Sequence, residues 1–167
     1  MRRSPKFMIM NKLDRFDWRI LAVVQREGRI GKAQLAERVG LSPTACWERL
    51  KRLETSGVVS GYHARLALEK VAPLLTVMVE ITLEQHRQAD FRRFEAAIHR
   101  EPQVVECLST GGGIDYLMKV MVPGLEAYQA LMDRLLDAEL GIERYFTYVV
   151  TKPVKTDGLP PLEGLQD

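Results

Sequence analysis

Residues 34–57, QLAERVGLSPTACWERLKRLETSG, decide how the first part of this chain folds. Two short helical patterns meet at Gly40, a residue that permits a sharp corner between helices. The second pattern begins at Ser42, whose hydroxyl can accept a hydrogen bond from a free backbone N–H. Pro43 suits the first helical position. The stretch therefore predicts a helix-turn-helix, with a second helix of the shape and charge to enter a DNA major groove.

The sequence on either side of this stretch completes a small helical domain. Apolar periodicity predicts a helix over residues 13–27 and another over 32–38. The third helix begins at Ser42 and repeats apolar residues at i, i+4 and i+7, which predicts a buried face of Cys46, Leu50 and Leu53. Residues 58–66 predict a small hairpin or an extended wing. Three helices and a wing make a winged helix-turn-helix.

The second part of the chain changes its period. Alternating or β-branched runs predict four strands, and longer amphipathic runs predict two helices between them. The strands are predicted over 74–83, 104–110, 116–122 and 144–151, and the helices over 89–100 and 125–136. The order β-α-β-β-α-β is that of a ferredoxin-like domain.

The predicted class is therefore α+β, with the winged domain followed by the ferredoxin-like one. The boundaries that follow are a flexible leader at 1–11, the winged domain at 12–66, a linker at 67–73, the ferredoxin-like domain at 74–152 and a loose tail at 153–167. Translation could also begin at Met8 or Met10.

Charge separates the two parts although the net charge is only +2. Residues 1–70 contain 15 basic and 7 acidic residues, whereas residues 71–167 contain 9 basic and 15 acidic ones. The imbalance favours a basic half that binds nucleic acid, joined to an acidic half that avoids it. The alternative is a chance difference between two solvated surfaces.

The chain shows no signature of a membrane or secreted protein. No apolar run approaches the roughly 18 residues of a membrane span, and the basic start lacks a signal-peptide core. Cys46 and Cys107 lie far apart without metal-type spacing, so both are predicted as core residues of a protein in the reducing cytoplasm.

Eight residues of the third helix are candidate DNA contacts: Ser42, Thr44, Ala45, Trp47, Glu48, Arg49, Lys51 and Arg52. The first two lie where they can reach phosphates or base edges, and the basic residues are expected to neutralise phosphates. Glu48 is expected to accept a hydrogen bond from cytosine or to orient Arg49 or Arg52. The alternative for the set is an ordinary solvated basic face, and for Trp47 it is packing on the wing or the first helix.

The turn Thr110-Gly111-Gly112-Gly113 is a candidate ligand loop. Glycines let backbone N–H groups approach an anion closely, which suits an α-carboxylate. Asp115 could then pair with an α-ammonium group. The alternative is a flexible hairpin in which Asp115 is a turn residue.

Six segments occur in an order that resembles the Lrp/AsnC, or feast/famine, family of transcription regulators over residues 12–155: LDRFDWRIL, GRI, LAERVGLSPTACWERLKRLE, GVVSGY, GIDYLMKV and TYVV. The resemblance implies an N-terminal winged domain for double-stranded DNA and a C-terminal effector and oligomerisation domain. It also implies an amino acid or related metabolite as effector, and homodimers that assemble into tetramers or octamers.

The resemblance adds three residues to the effector site. TYVV matches a family segment that lines this site between subunits, which carries over to Tyr148, Val149 and Val150. The chain departs from the family at Gly113 and Ile114, where a polar or acidic residue and then an aromatic one are usual. This departure leaves the identity of the effector open.

Two alternatives remain beside an effector-modulated regulator. One is a nucleoid protein that wraps DNA with little sequence preference, and the other is a tetrapyrrole enzyme of the sirohaem decarboxylase type. His63, His86 and His99 are scattered and no catalytic set is visible in the sequence, so we expect no enzyme activity, no metal and no cofactor besides the effector.

Overall fold

The computed structural model of the chain describes residues 13–156 and 158–162. These residues form two compact units. One comprises the described residues up to Arg65 together with those from Lys155 onward, and the other is Leu66–Val154. The predicted leader at 1–11 lies outside the described residues.

The N-terminal unit is built on three helices, α1 at Arg15–Arg26, α2 at Lys32–Val39 and α3 at Pro43–Thr55. Their apolar faces meet in one core, which comprises Ile20, Leu21, Val24, Leu35, Ala36, Val39, Cys46, Leu50 and Leu53. The predicted i, i+4, i+7 stripe of α3 is thereby confirmed. Burial raises the pKa of the Cys46 thiol, which is the behaviour of a small core residue.

The corner between α2 and α3 depends on the backbone of Gly40. Its φ of 72° and ψ of 41° lie in the left-handed region, which residues with a Cβ adopt at a cost in free energy. In this conformation the next N–H, that of Leu41, donates to the Ala36 carbonyl at 3.0 Å. Ser42 then caps α3, its hydroxyl accepting from the Ala45 N–H at 3.3 Å.

The segment after α3 does not form the hairpin that was one of the two predicted forms of the wing. Residues 58–67 contain no strand, and bends occur at Val58 and Val59. Tyr62 in this segment donates its hydroxyl hydrogen to a carboxylate oxygen of Glu54 on α3, at 2.9 Å.

The second unit contains the predicted β-α-β-β-α-β order. Its elements are β1 at Leu75–Leu83, α4 at Gln88–Ile98, β2 at Val104–Ser109, β3 at Tyr116–Val122, α5 at Leu125–Asp137 and β4 at Ile142–Val149. The sheet order is β2-β3-β1-β4 and every neighbouring pair is antiparallel. The ferredoxin-like prediction is confirmed, with strand and helix ends shifted by one or two residues.

One face of this sheet is packed and the other is open. Alternate residues of β1 and β3 are buried together with residues of α4 and α5, including Phe94, Leu131 and Leu135. Phe146 and Tyr148 lie on the opposite face, because they pair with the alternate β1 residues Glu80 and Met78, and both are exposed.

The end of the chain is less loose than the sequence predicts. Within the described residues after Pro153 there is no helix or strand, yet Leu162 packs against the core of the N-terminal unit.

The left-handed backbone at Gly40 gives a stability prediction. We expect Gly40→Ala to lower the free energy of unfolding by about 1–2 kcal/mol, because alanine resists this conformation. Gly40→Asn should lose less, since asparagine tolerates it. Urea unfolding of both variants checks this, and equal losses would show that the backbone conformation is not the cause.

Candidate DNA interface and effector site

Four side chains form an exposed line along α3, and we call them the α3 stripe: Thr44, Trp47, Glu48 and Lys51. Their spacing of i, i+3, i+4 and i+7 places them on one side of the helix. This side lies away from the buried Cys46, Leu50 and Leu53. One face of α3 therefore packs in the core of its unit, and the opposite face is exposed to solvent.

Trp47 lies against Lys32, at the start of α2. The residue is 38% exposed, and the ammonium nitrogen of Lys32 lies 3.4 Å from the ring centroid. This cation–π contact fixes the ring at the edge of the stripe and holds a positive charge beside it.

Arg49 and Arg52 turn toward α1 instead of toward the stripe. Arg49 Nη1 lies 2.6 Å from Asp14 Oδ2 and 3.0 Å from Asp17 Oδ1, and Arg52 Nη2 lies 2.6 Å from Asp17 Oδ2. The sequence predicts both arginines as phosphate contacts, whereas the structure uses their guanidinium groups as partners of carboxylates. Any contact with phosphate remains a prediction.

Asp17 is the centre of this network, with a side chain only 1% exposed. It also closes the start of α1. Asp14 Oδ1 accepts from the N–H groups of Phe16 and Asp17, and Asp17 Oδ2 accepts from the N–H of Asp14. This is a capping box built from two aspartates. The Asp17 N–H, helped by Arg49, holds the pKa of the Asp14 carboxyl below its usual range.

Asp14 and Asp17 were not among the predicted functional residues, although the sequence contains two signals for them. The two residues are three apart at the start of a helix, which is capping-box spacing. Asp17 also continues the apolar face of Ile20, Leu21 and Val24 at i, i+3, i+4 and i+7. A carboxylate on a buried face requires cationic partners, and these two arginines supply them.

In the second unit, the predicted ligand turn closes the β2–β3 hairpin. Thr110 makes two bonds across it, donating its N–H to the Asp115 carbonyl at 2.9 Å and its hydroxyl to the Ile114 carbonyl at 2.7 Å. Gly111, Gly112 and Gly113 between them are exposed, and a Cβ on any of the three would meet no atom within 4 Å. The backbone of this turn is thus open to a ligand.

Asp115 is already engaged within its own unit. One carboxylate oxygen accepts from the N–H of Leu83 at 2.8 Å and lies 3.1 Å from His86 Nε2. The side chain is 16% exposed. An α-ammonium group that pairs with Asp115 would therefore compete with His86 for the carboxylate.

The remaining predicted effector residues lie at the other end of the sheet. Val149 pairs with Val77 near the start of β1, whereas the glycine turn adjoins its end at Leu83. Six residues of strand separate these positions, or roughly 20 Å. The Tyr148 hydroxyl donates to Glu80 at 3.2 Å, and the Val150 N–H donates to the Thr76 carbonyl. One chain does not bring the two halves of the predicted site together.

Comparison with known proteins agrees with this two-part organisation. Residues 13–60 match a family model described as winged helix-turn-helix DNA-binding, and residues 76–160 match one described as Lrp/AsnC ligand binding domain. The chain belongs to the Lrp/AsnC family.

Two curated relatives and one solved structure illustrate the relationship. The transcriptional regulatory protein DoeX of Halomonas elongata is 49% identical over 86% of this chain and 91% of its own length. The leucine-responsive regulatory protein of Escherichia coli is 41% identical over 86% and 87%. A transcriptional regulator of Neisseria meningitidis, solved with L-methionine, is 31% identical with a TM-score of 0.84, over 92% of this chain and 99% of that one.

This Lrp/AsnC protein is thus a DNA-binding transcription regulator whose second domain is of the type that binds amino-acid effectors. In the described residues, no group of His, Cys, Asp and Glu is arranged to hold a metal ion. None of the described helices combines the length and apolarity that crossing a membrane requires.

The burial of Asp17 gives the second prediction. We expect Asp17→Ala to lower the free energy of unfolding by about 2–3 kcal/mol, because it removes a cap and two charge-assisted hydrogen bonds. Denaturant unfolding measures this. Glu37→Ala removes an exposed carboxylate from α2 and is the matched control.

A double-mutant cycle tests the cause. If the network is the source of the loss, Arg52→Ala costs less stability in the Asp17→Ala background than in the natural chain. Additive losses would contradict the assignment.

Proposed function

We propose that this regulator is a homo-oligomer that reads a specific DNA site through the α3 stripe and changes assembly when an amino acid or related metabolite binds. The observation that carries the proposal is that different sides of α3 make different contacts. Its apolar face is buried, Arg49 and Arg52 are paired with α1, and the stripe is exposed.

The chemistry of the stripe suits the edges of bases in the major groove. Thr44 offers a hydroxyl and a methyl group, and Glu48 can accept from the amino group of cytosine. Trp47 presents an exposed ring next to the Lys32 ammonium. Lys51 carries a charge that suits phosphate, and among the described residues no carboxylate lies within ion-pair distance of it.

Oligomerisation is supported by the open face of the sheet and by the separation of the effector residues. Phe146 and Tyr148 are half exposed on a face that no helix of the described unit covers. Since the glycine turn and the end of β4 are roughly 20 Å apart within one chain, a single site containing both requires more than one subunit. Dimers that assemble further into tetramers or octamers supply such an arrangement.

The amino acid is proposed to bind through its two charged ends. The α-carboxylate would accept hydrogen bonds from the backbone N–H groups of residues 111–113. The α-ammonium would replace His86 as the partner of the Asp115 carboxylate. If the ligand and DNA favour different assemblies, binding of one changes the affinity for the other by linkage. We propose the cytoplasm as its location and no resident cofactor.

Removal of one charge from the stripe tests the DNA interface. We expect Lys51→Ala to weaken binding to the operator several-fold and to lower the magnitude of the salt slope, d log K/d log [salt], by about one. The free energy of unfolding should stay unchanged. Titrations at several salt concentrations measure this on DNA upstream of the protein's own gene.

Lys70→Ala is the matched control, since it removes the same charge from an exposed position in the other unit. A salt slope that is equal in both variants would place the DNA contact elsewhere.

Substitution in the glycine turn tests the effector site. A Cβ at Gly113 meets no atom within 4 Å and its φ is not in the left-handed region, so Gly113→Ala should fold normally. We expect it to abolish amino-acid-dependent changes in mass and DNA affinity, because the methyl group blocks close approach of a carboxylate. Light scattering and operator titration with a panel of amino acids check this.

Gly124→Ala, before α5, is the control, because a Cβ there also meets no atom within 4 Å. If Gly113→Ala retains the full response, the turn does not bind the effector. If an amino acid acts on neither the natural chain nor the control, the proposed effector class is wrong.

A further inference from the structure

The N-terminal unit contains an apolar groove, of about 310 Å³, that shares no lining residue with the α3 stripe. It lies between α1 and residues 58–62, which follow α3. Its apolar floor includes Leu21 and Val24, and two aromatic side chains, Trp18 and Tyr62, line it. We call it the α1 groove.

Tyr62 is held in place at both ends of its side chain. Its hydroxyl donates to Glu54 on α3, and its ring lies so close to Gly28 that a Cβ there would be 3.3 Å from Tyr62 Cδ1. Burial, with the hydrogen bond to Glu54, raises the pKa of Tyr62 to about 12. This aromatic wall is therefore preorganised.

The described end of the chain forms one side of this groove. Leu162 is one of the residues that line it and it packs on the helical core. The Gln25 side-chain amide donates to the carbonyl of Pro160 at 3.0 Å. Arg65 Nη2 lies 3.4 Å from the hydroxyl of Thr156, where the segment returns to this unit.

The residue types of the segment suit such a groove. Leu159-Pro160-Pro161-Leu162 contains adjacent prolines, which fix φ near −65° and favour the extended polyproline helix. That helix has no internal hydrogen bonds, so its carbonyl groups are free to accept from donors outside the segment. The Pro160 carbonyl accepts such a bond from the Gln25 side-chain amide. Proline-containing segments dock in aromatic-lined grooves because little conformational entropy remains to be lost.

We propose that the α1 groove is a docking site for an extended, proline-containing peptide and that its occupant is the chain's own segment 160–162. The segment begins eleven residues after the end of β4, the strand that carries Tyr148 and Val149. The chain between β4 and the docked segment therefore connects the predicted effector strand to the helical core of the N-terminal unit. This coupling rests on the proposed function, whereas the docking itself does not.

Fluorescence of Trp18 in the full chain tests the docking. The sequence contains two tryptophans, so a Trp47→Phe background leaves Trp18 as the reporter. We expect Leu162→Asp in this background to shift Trp18 emission to the red and to increase acrylamide quenching, because the groove opens to water. Leu159→Asp introduces the same charge at an exposed residue that does not line the groove, and should change neither.

A synthetic peptide of residues 158–167 supplies the second measurement. Added to the full-length Leu162→Asp variant, it should restore the original emission with saturation, and the same peptide carrying Leu162→Asp should not. Rescue by the peptide shows that the variant is folded. The docking site would be overturned by any of three results: unchanged emission in Leu162→Asp, equal effects of the two substitutions, or failure of the peptide to restore the emission.

Dilution and operator titration complete the test. In the Trp47→Phe chain without a further substitution, Trp18 emission should not change on dilution. A red shift on dilution would assign the docked segment to a second copy and overturn the own-chain occupant. Leu162→Asp should reduce the amino-acid-dependent change in operator affinity, whereas Leu159→Asp should not. An intact response in Leu162→Asp would overturn the coupling alone, and the fluorescence result is independent of DNA and effector.

Discussion

The N-terminal unit depends on one buried carboxylate. Asp17 is almost completely shielded from water, and a charge in that position is tolerated only with close partners. Its partners are the N–H of Asp14 and the guanidinium groups of Arg49 and Arg52, all within 3.1 Å. Because the two arginines belong to α3, satisfying the carboxylate also fixes the rotation of α3 against α1. That rotation decides which residues of α3 are presented to solvent, and so which can read DNA.

The ferredoxin-like unit is governed by a different constraint, since its four strands have helices on one face only. The open face leaves aromatic side chains of β4 in water, which is costly for an isolated subunit and favours association. The same strand order places the glycine turn and the end of β4 at opposite ends of the sheet. The effector site proposed above uses both, so it would require an assembly of subunits and would link ligand binding to oligomeric state.

Much of this organisation could be predicted because it depends on local patterns. Helical period, the cap at Ser42 and the glycine at position 40 located the helix-turn-helix to within two residues. Alternating or β-branched runs located every strand of the second unit. The roles of the charged residues were harder to predict. Arg49, Lys51 and Arg52 look equivalent in sequence, and only the position of Asp17, 32 residues before Arg49, separates their roles.

By itself the sequence determined the order of elements, the two-domain plan, the family and the residues eligible to touch DNA or an effector. These follow from local spacing and residue type, which act over one or two turns or a single strand. The tertiary structure alone decided that Arg49 and Arg52 serve a buried carboxylate, that Asp115 is bonded to Leu83 and His86, and that Leu162 lies on the helical core. Each is a contact between residues distant in sequence, and its free energy depends on burial and geometry that exist only after the chain has folded.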